Sequence, residues 1–194
     1  MTKVLFNTGL SESNAKKRDF ILTACKKIKL TKDLDLLEVG IGNGRCGSFL
    51  ANKFKSYDGF DPDEEYVELA KRSLSQSSKA KYVVGVAESI PFDKKYDVVL
   101  FAYSFHFTKF GKAWSEVINH LKDKGLVIVL EPDEFIKKWA DPVLTEGAPE
   151  FDQKKLDLKK GQIRSAKQFL EIQPELKIID SGSFDDTNYW ILRK

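Results

Sequence analysis

Short apolar runs alternate with amphipathic stretches along most of the chain. Leu34–Val39 (LDLLEV) has the pattern of a buried strand and is closed by glycines. Ser48–Phe54 then reads as helix. Tyr57–Asp61 (YDGFD) is a second short strand, stopped by Pro62. Asp63–Ser73 has a negative first turn and a positive end, the distribution that complements a helix dipole. Lys81–Val84 is a third strand, and Tyr96–Ala102 (YDVVLFA) is a fourth and the most continuous apolar run. Lys112–Leu121 spaces Trp114, Val117, Ile118 and Leu121 at helical intervals, and Gly125–Leu130 (GLVIVL) is a fifth strand.

Strict alternation of strand and helix predicts a parallel sheet with helices on both faces. The last twenty residues break the rhythm. Lys177–Ser181 and Tyr189–Leu192 read as strands, and the GSFDDTN between them is too short for a crossover helix, so they should be antiparallel. The expectation is an α/β, doubly wound, mostly parallel sheet with one reversed C-terminal strand, within a single domain spanning 1–194. Residues 1–33 and 132–176 fall outside the core pattern and are candidate covers over a site, with 34–131 as the core and 177–194 as the terminal strand pair. Phe135, Ile136 and Trp139 could form a lid or the buried face of a short helix. Phe6, Asn7 and a turn at Ser11–Asn14 could close the same site.

Composition narrows the functional classes. The 194 residues suffice for a real core, and 42% hydrophobic content excludes wholesale disorder. With 32 basic and 29 acidic side chains the net charge is only +3, which does not suggest a nucleic-acid-binding footprint. Cys25 and Cys46 make no disulfide framework and no metal-ligand spacing; no metal is expected, and a reducing, cytoplasmic location follows. No apolar run approaches the ~20 residues a membrane helix needs. The N-terminus lacks the apolar stretch of a secretory signal.

The sharpest motif is Glu38-Val39-Gly40-Ile41-Gly42-Asn43-Gly44, between the first strand and a helix. Its glycines suit positive φ and close approach of a ligand to the backbone. Gly42 to Gly47 also matches G-x-G-x-x-G, and Asp61 falls about where a ribose-binding acid should sit. A preceding acid, Glu38, suits a ligand with an amino group and a sulfonium better than a pyrophosphate. Electrostatics therefore favours S-adenosylmethionine over NAD.

Residues 34–131 resemble the class I S-adenosylmethionine-dependent methyltransferases, particularly those with a short, type 11 core. LLEVGIGNG, YDGFDPDEEYVELA, VVGVAESIPF, YDVVLFAYSFHF and HLKDKGLVIVLEP occur in that family's order. The resemblance implies a Rossmann-like methyltransferase fold with a seven-stranded sheet, and S-adenosyl-L-methionine as cofactor. It implies that Gly40, Gly42 and Gly44 cradle the methionine portion, that Glu38 helps orient it, and that Asp61 accepts hydrogen bonds from the ribose hydroxyls. Ala87 would offer its backbone N–H to the adenine, Glu88 would lean in, and Ala102 would line the site. One departure stands out: where the family usually places an adenine-binding Asp, this chain has Val86. The turn at Asn119–Gly125 is also degraded relative to the family.

Ligands of open α/β sheets lie at the carboxyl ends of the strands, which makes Ala102 to His106 and Glu131, Asp133 and Glu134 candidate site residues. His106 is the leading general-base candidate, against packing or a backbone bond as its alternative role. Tyr103 could deprotonate or orient a substrate, or simply line the site. Glu131 and Asp133 could hold a substrate amine or be solvated loop acids. His120 reads as a surface residue and Cys46 as core. The leading reading is methyl transfer to a small-molecule acceptor, with no membrane partner. Its alternatives are an RNA, DNA or protein methyltransferase using Lys16-Lys17, Lys26-Lys27 and Lys137-Lys138, an NAD(P)-dependent oxidoreductase, and a non-catalytic binding module.

Overall fold

A computed structural model describes residues 12–28, 31–73, 79–132, 170–171, 173–174, 176–184 and 187–194. The chain opens with helix α1 (Glu12–Lys27), followed by strand β1 (Asp35–Val39) and helix α2 (Arg45–Leu50). Strand β2 (Ser56–Asp61), helix α3 (Glu64–Ser73) and strand β3 (Ala80–Val84) come next. Strand β4 (Tyr96–Ala102), helix α4 (Phe110–Asn119) and strand β5 (Leu121–Pro132) complete the alternating part. Strands β6 (Lys177–Phe184) and β7 (Thr187–Arg193) close the chain.

These strands form one sheet in the order β3-β2-β1-β4-β5-β7-β6. β1 to β5 are mutually parallel where they pair, and β7 runs antiparallel to both β5 and β6. The expected sheet, with a single reversed strand at its C-terminal end, is therefore present. The dinucleotide-binding order 3-2-1-4-5-6 lacks an antiparallel strand inserted beside β5, so the sheet departs from that of an NAD(P) enzyme.

Side chains alternate across the sheet and feed two apolar layers. Leu37, Val39, Val99, Phe101, Val127 and Val129 pack on one face beneath Trp114 and Val117 of α4. Leu36, Val98, Leu100 and Ile128 pack on the other, with Ile21 and Ala24 of α1, Leu50 of α2 and Val67 of α3. At the amino ends of the strands, Lys122 Nζ bridges Asp35 and Asp97 at 3.0 and 2.7 Å. Lys94 Nζ meets Asp58 there at 2.7 Å. That edge is thus tied by charge, while the opposite, carboxyl edge carries the glycine loop.

Three local expectations change. The helix expected over Ser48–Phe54 starts earlier, at Arg45, because Gly44 adopts a left-handed conformation that lets the chain turn straight into it; a 3-10 turn replaces its end at Ala51–Lys53. Helix α4 stops at Asn119 rather than Leu121, since the His120 ring and backbone both close onto its last turn. Leu121 already pairs with Tyr96 in β5, and an irregularity containing positive-φ Lys124 precedes the next pair, Val98 with Leu126. The Ser11–Asn14 turn is overturned too: α1 begins at Glu12.

Trp114 is fully buried and meets the Phe105 ring edge-on, with centroids 5.7 Å apart. Truncating it to Ala should cost about 3–5 kcal/mol. Chemical denaturation of Trp114→Ala against the parent chain measures this loss directly.

Candidate active site

The carboxyl ends of β1, β2 and β4 converge on the glycine loop. After Val39 the chain folds over β2, with the N–H groups of Gly40 and Ile41 both donating to Phe60 O, at 2.9 and 3.1 Å. Gly40 has φ +76°, and a Cβ there would lie 2.4 Å from Ser104 Cβ. No side chain fits, because the loop passes against the exit of β4, where Ser104 Oγ donates to Val39 O. Gly44 packs against Ala70 and Ser73 of α3 in the same way. Gly42 differs: at φ +51°, its added Cβ would meet nothing within 4 Å. Its open face leaves room for a ligand to approach the backbone.

Asp61 ends β2 directly beside this opening. Its Oδ2 accepts the Gly42 N–H at 2.9 Å, and its Oδ1 accepts the Asp63 N–H at 3.0 Å. Burial raises its carboxyl above the ordinary carboxylate value, opposed by these two backbone donors. Each oxygen retains further acceptor capacity, which vicinal hydroxyls could use.

Glu38, the acid expected to help orient the methionine portion, precedes the loop on β1. Only 1% exposed, it lies beneath the loop and accepts the Tyr57 O–H at 2.6 Å and the Cys46 thiol. Burial pushes its carboxyl up to about 7, against the lowering effect of those hydrogen bonds. Cys46, read as core, is half-buried and its thiol is held well above its ordinary value, first by burial and then by Glu38.

Beyond β4, a 3-10 turn at Phe105–Phe107 carries His106. Its ring Nδ1 is hydrogen-bonded to Glu131 Oε2, and its backbone N–H donates to Glu131 Oε1 at 3.3 Å. Both residues are 1% exposed. This corrects the expectation that Glu131 holds a substrate amine or is a solvated acid: its carboxylate is occupied by His106. The parallel register that sets Ala102 opposite Leu130 brings the two together from 25 residues apart, a partnership no local motif signals.

Tyr103 follows β4 with φ +63°, unusual for a non-glycine residue. Its hydroxyl lies 2.7 Å from Thr187 Oγ1 on β7, and Lys17 Nζ of α1 sits 4.5 Å above its ring. Tyr103 and His106 are thus held by different partners. Ala102 is half-buried at the strand end and Ala87 is buried. Glu88, expected to lean toward a base, gives its Oε1 to the Lys109 N–H at 2.5 Å, at the start of α4. His120, expected at the surface, is half-buried, with Nδ1 2.8 Å from Glu116 O. Phe6, Asn7, Asp133, Glu134, Phe135, Ile136, Lys137-Lys138 and Trp139 lie outside the described residues. Among the described residues no cluster of His, Cys, Asp and Glu is arranged to hold a metal, and no helix is long and apolar enough to cross a membrane.

Residues 36–125 match the family model for a methyltransferase domain. That match takes in just under half of the chain, and the fold around it is that of S-adenosylmethionine-dependent methyltransferases of known structure. Solved structures share this fold at low identity. The N-methyltransferase NodS from Bradyrhizobium japonicum WM9, in complex with S-adenosyl-l-homocysteine, superposes with a TM-score of 0.73 at 11% identity, covering 99% of this chain and 92% of that one. An S-adenosylmethionine-dependent methyltransferase from Clostridium acetobutylicum ATCC 824 gives 0.66 at 17%, covering 92% and 91%. The [4+2]-cyclase SpnF gives 0.71 at 16%, covering 97% and 84%. No curated protein matches in sequence. A cyclase among these structures illustrates that the fold alone does not name the reaction.

The buried Glu38 makes stability pH-dependent. With the folded value near 7 and the ordinary value at 4.5, the folded state holds an extra proton between them. Stability is therefore greatest below about 4.5 for this group and falls as pH rises toward 7, by on the order of 3 kcal/mol. Glu38→Gln should flatten the corresponding slope of Tm between about pH 5 and 7. Melting curves across that range, parent against variant, check it.

Proposed function

We propose that the chain is an S-adenosylmethionine-dependent methyltransferase acting on a small-molecule acceptor. The observation that carries the reading is the open face of Gly42 beside the carboxylate of Asp61, both at the carboxyl ends of adjacent central strands. A backbone without a side chain can lie against the methionine arm, while Asp61 accepts from the ribose hydroxyls. Gly40 and Gly44 keep the loop close to β4 and α3. Glu38 acts from below, holding Tyr57 and Cys46 under the loop. Ala102 and Ala87 contribute small side chains at neighbouring strand ends. The cofactor, when bound, supplies an already activated methyl group, so the protein's remaining task is to align an acceptor and take its proton.

His106 is the candidate for that task. Its Nδ1 is hydrogen-bonded to Glu131, which fixes the ring and leaves Nε2, itself buried, as the second ring nitrogen. Tyr103 has its hydroxyl on Thr187 and is better placed to brace the β4 exit than to move a proton. The near-neutral charge supports a small acceptor over a polyanion. The two free thiols support a reducing compartment, the cytoplasm.

Thermal melts test the cofactor. S-adenosylhomocysteine at ~100 times its dissociation constant should stabilise the chain by about 2.7 kcal/mol. Asp61→Ala should abolish that gain, and NADH should give none. A gain with NADH alone would replace this reading with the oxidoreductase one. An acceptor screen with labelled methyl donor then tests turnover. His106→Ala should lower it by roughly 10²- to 10⁴-fold while keeping the S-adenosylhomocysteine shift. Stabilisation with no turnover on any acceptor would favour a binding module.

A further inference from the structure

We propose that this chain reads the cofactor's purine by shape, on an apolar surface formed by Val84 and Val86, and does not select its exocyclic amine. The inference rests on the cofactor reading above and adds how its base is recognised. The sheet order sets the position. The glycine loop ends β1, Asp61 ends the neighbouring β2, and β3 lies beyond it at the sheet edge. A nucleoside with its ribose at Asp61 and its sulfur-bearing arm along Gly42 carries its base outward, over the end of β3. The chain leaving β3 is fastened to that spot, since the Gly85 N–H donates to Asp61 O at 3.1 Å.

What the chain presents there is apolar. Val84 is 50% exposed and Val86 44%, although both are hydrophobic, and Gly85 alone separates them. Ser89 N–H closes this turn onto Val86 O at 3.1 Å, which uses that carbonyl as an acceptor. The turn's one carboxylate, Glu88, turns its Oε1 to the Lys109 N–H at the start of α4. The same hydrogen bond ties the turn to the segment two residues after Phe107, itself 58% exposed. A purine laid on this surface covers valine side chains and meets no carboxylate from position 86. Apolar surfaces reject an analogue with one altered polar group only weakly, whereas a site built to hydrogen-bond that group rejects its absence strongly.

Calorimetric titration of the full chain with two ligands tests this: S-adenosylhomocysteine and its 6-deamino analogue, in which purine replaces adenine. The analogue keeps every ring nitrogen, so a backbone contact from Ala87 is unaffected and only the amine is probed. The parent chain should bind the two within about threefold of each other. Val86→Asp, at an exposed position, should favour the adenine ligand by roughly tenfold or more, the worth of a hydrogen bond to a charged group. A parent chain that already prefers adenine by more than about tenfold overturns the inference and leaves the cofactor reading intact. An unchanged ratio in Val86→Asp overturns the assignment of this residue as the determinant. Binding of neither ligand overturns the cofactor reading itself.

Discussion

The close passage of the β1 exit against the β4 exit governs the carboxyl edge of this molecule. Gly40 turns at a positive φ with no room for a side chain beside Ser104, and Ser104 Oγ returns a hydrogen bond to Val39 O. Two parallel strands that pair along their length would otherwise send their chains outward side by side. Here one chain folds over β2 through Phe60 O, while the other enters a 3-10 turn toward β5. Beyond that contact the two chains leave in different directions, at the point where strand order reverses, the position at which open α/β sheets bind ligands. Gly42 and Asp61 lie on the β1–β2 side of that point, and His106 follows β4 on the other.

Three buried acids show how environment assigns different work to one functional group. Glu38 is enclosed with a phenol and a thiol, and burial dominates, so its proton is retained to about pH 7. Asp61, at a strand end, is met by two backbone N–H groups that resist the effect of burial. Glu131 faces an imidazole and holds both its ring and its backbone. The first lies under the loop, the second accepts a hydrogen bond from it, and the third is bonded to an imidazole.

The exposed valines after β3 complete the contrast. Elsewhere near the carboxyl ends of the strands, polar groups meet in pairs: Tyr103 with Thr187, Glu88 with the start of α4, Asp61 with the loop. Val84 and Val86 leave apolar surface uncovered after β3. A solvent-facing apolar pair is costly for an isolated chain, and a flat ring that covers it recovers that cost.

Periodicity and turn chemistry already determined much of this protein. The buried-strand pattern of LDLLEV, the continuous apolar run of YDVVLFA, the helical spacing of Trp114, Val117 and Ile118, and the short link before the last strand specified a parallel sheet with one reversed strand. These are local properties, written in neighbouring residues, and so is the glycine loop with its trailing Asp61. Other features depended on register. That Glu131 would meet His106, that Glu38 would sink beneath the loop with Tyr57 and Cys46, and that Glu88 would turn to the start of α4 are contacts across 25, 19, 8 and 21 residues. Alternation places a residue on a face but does not say which neighbour shares it. Only the pairing of strands end to end decided which polar groups were buried together, because a buried charge takes its role from the partners the tertiary structure brings to it.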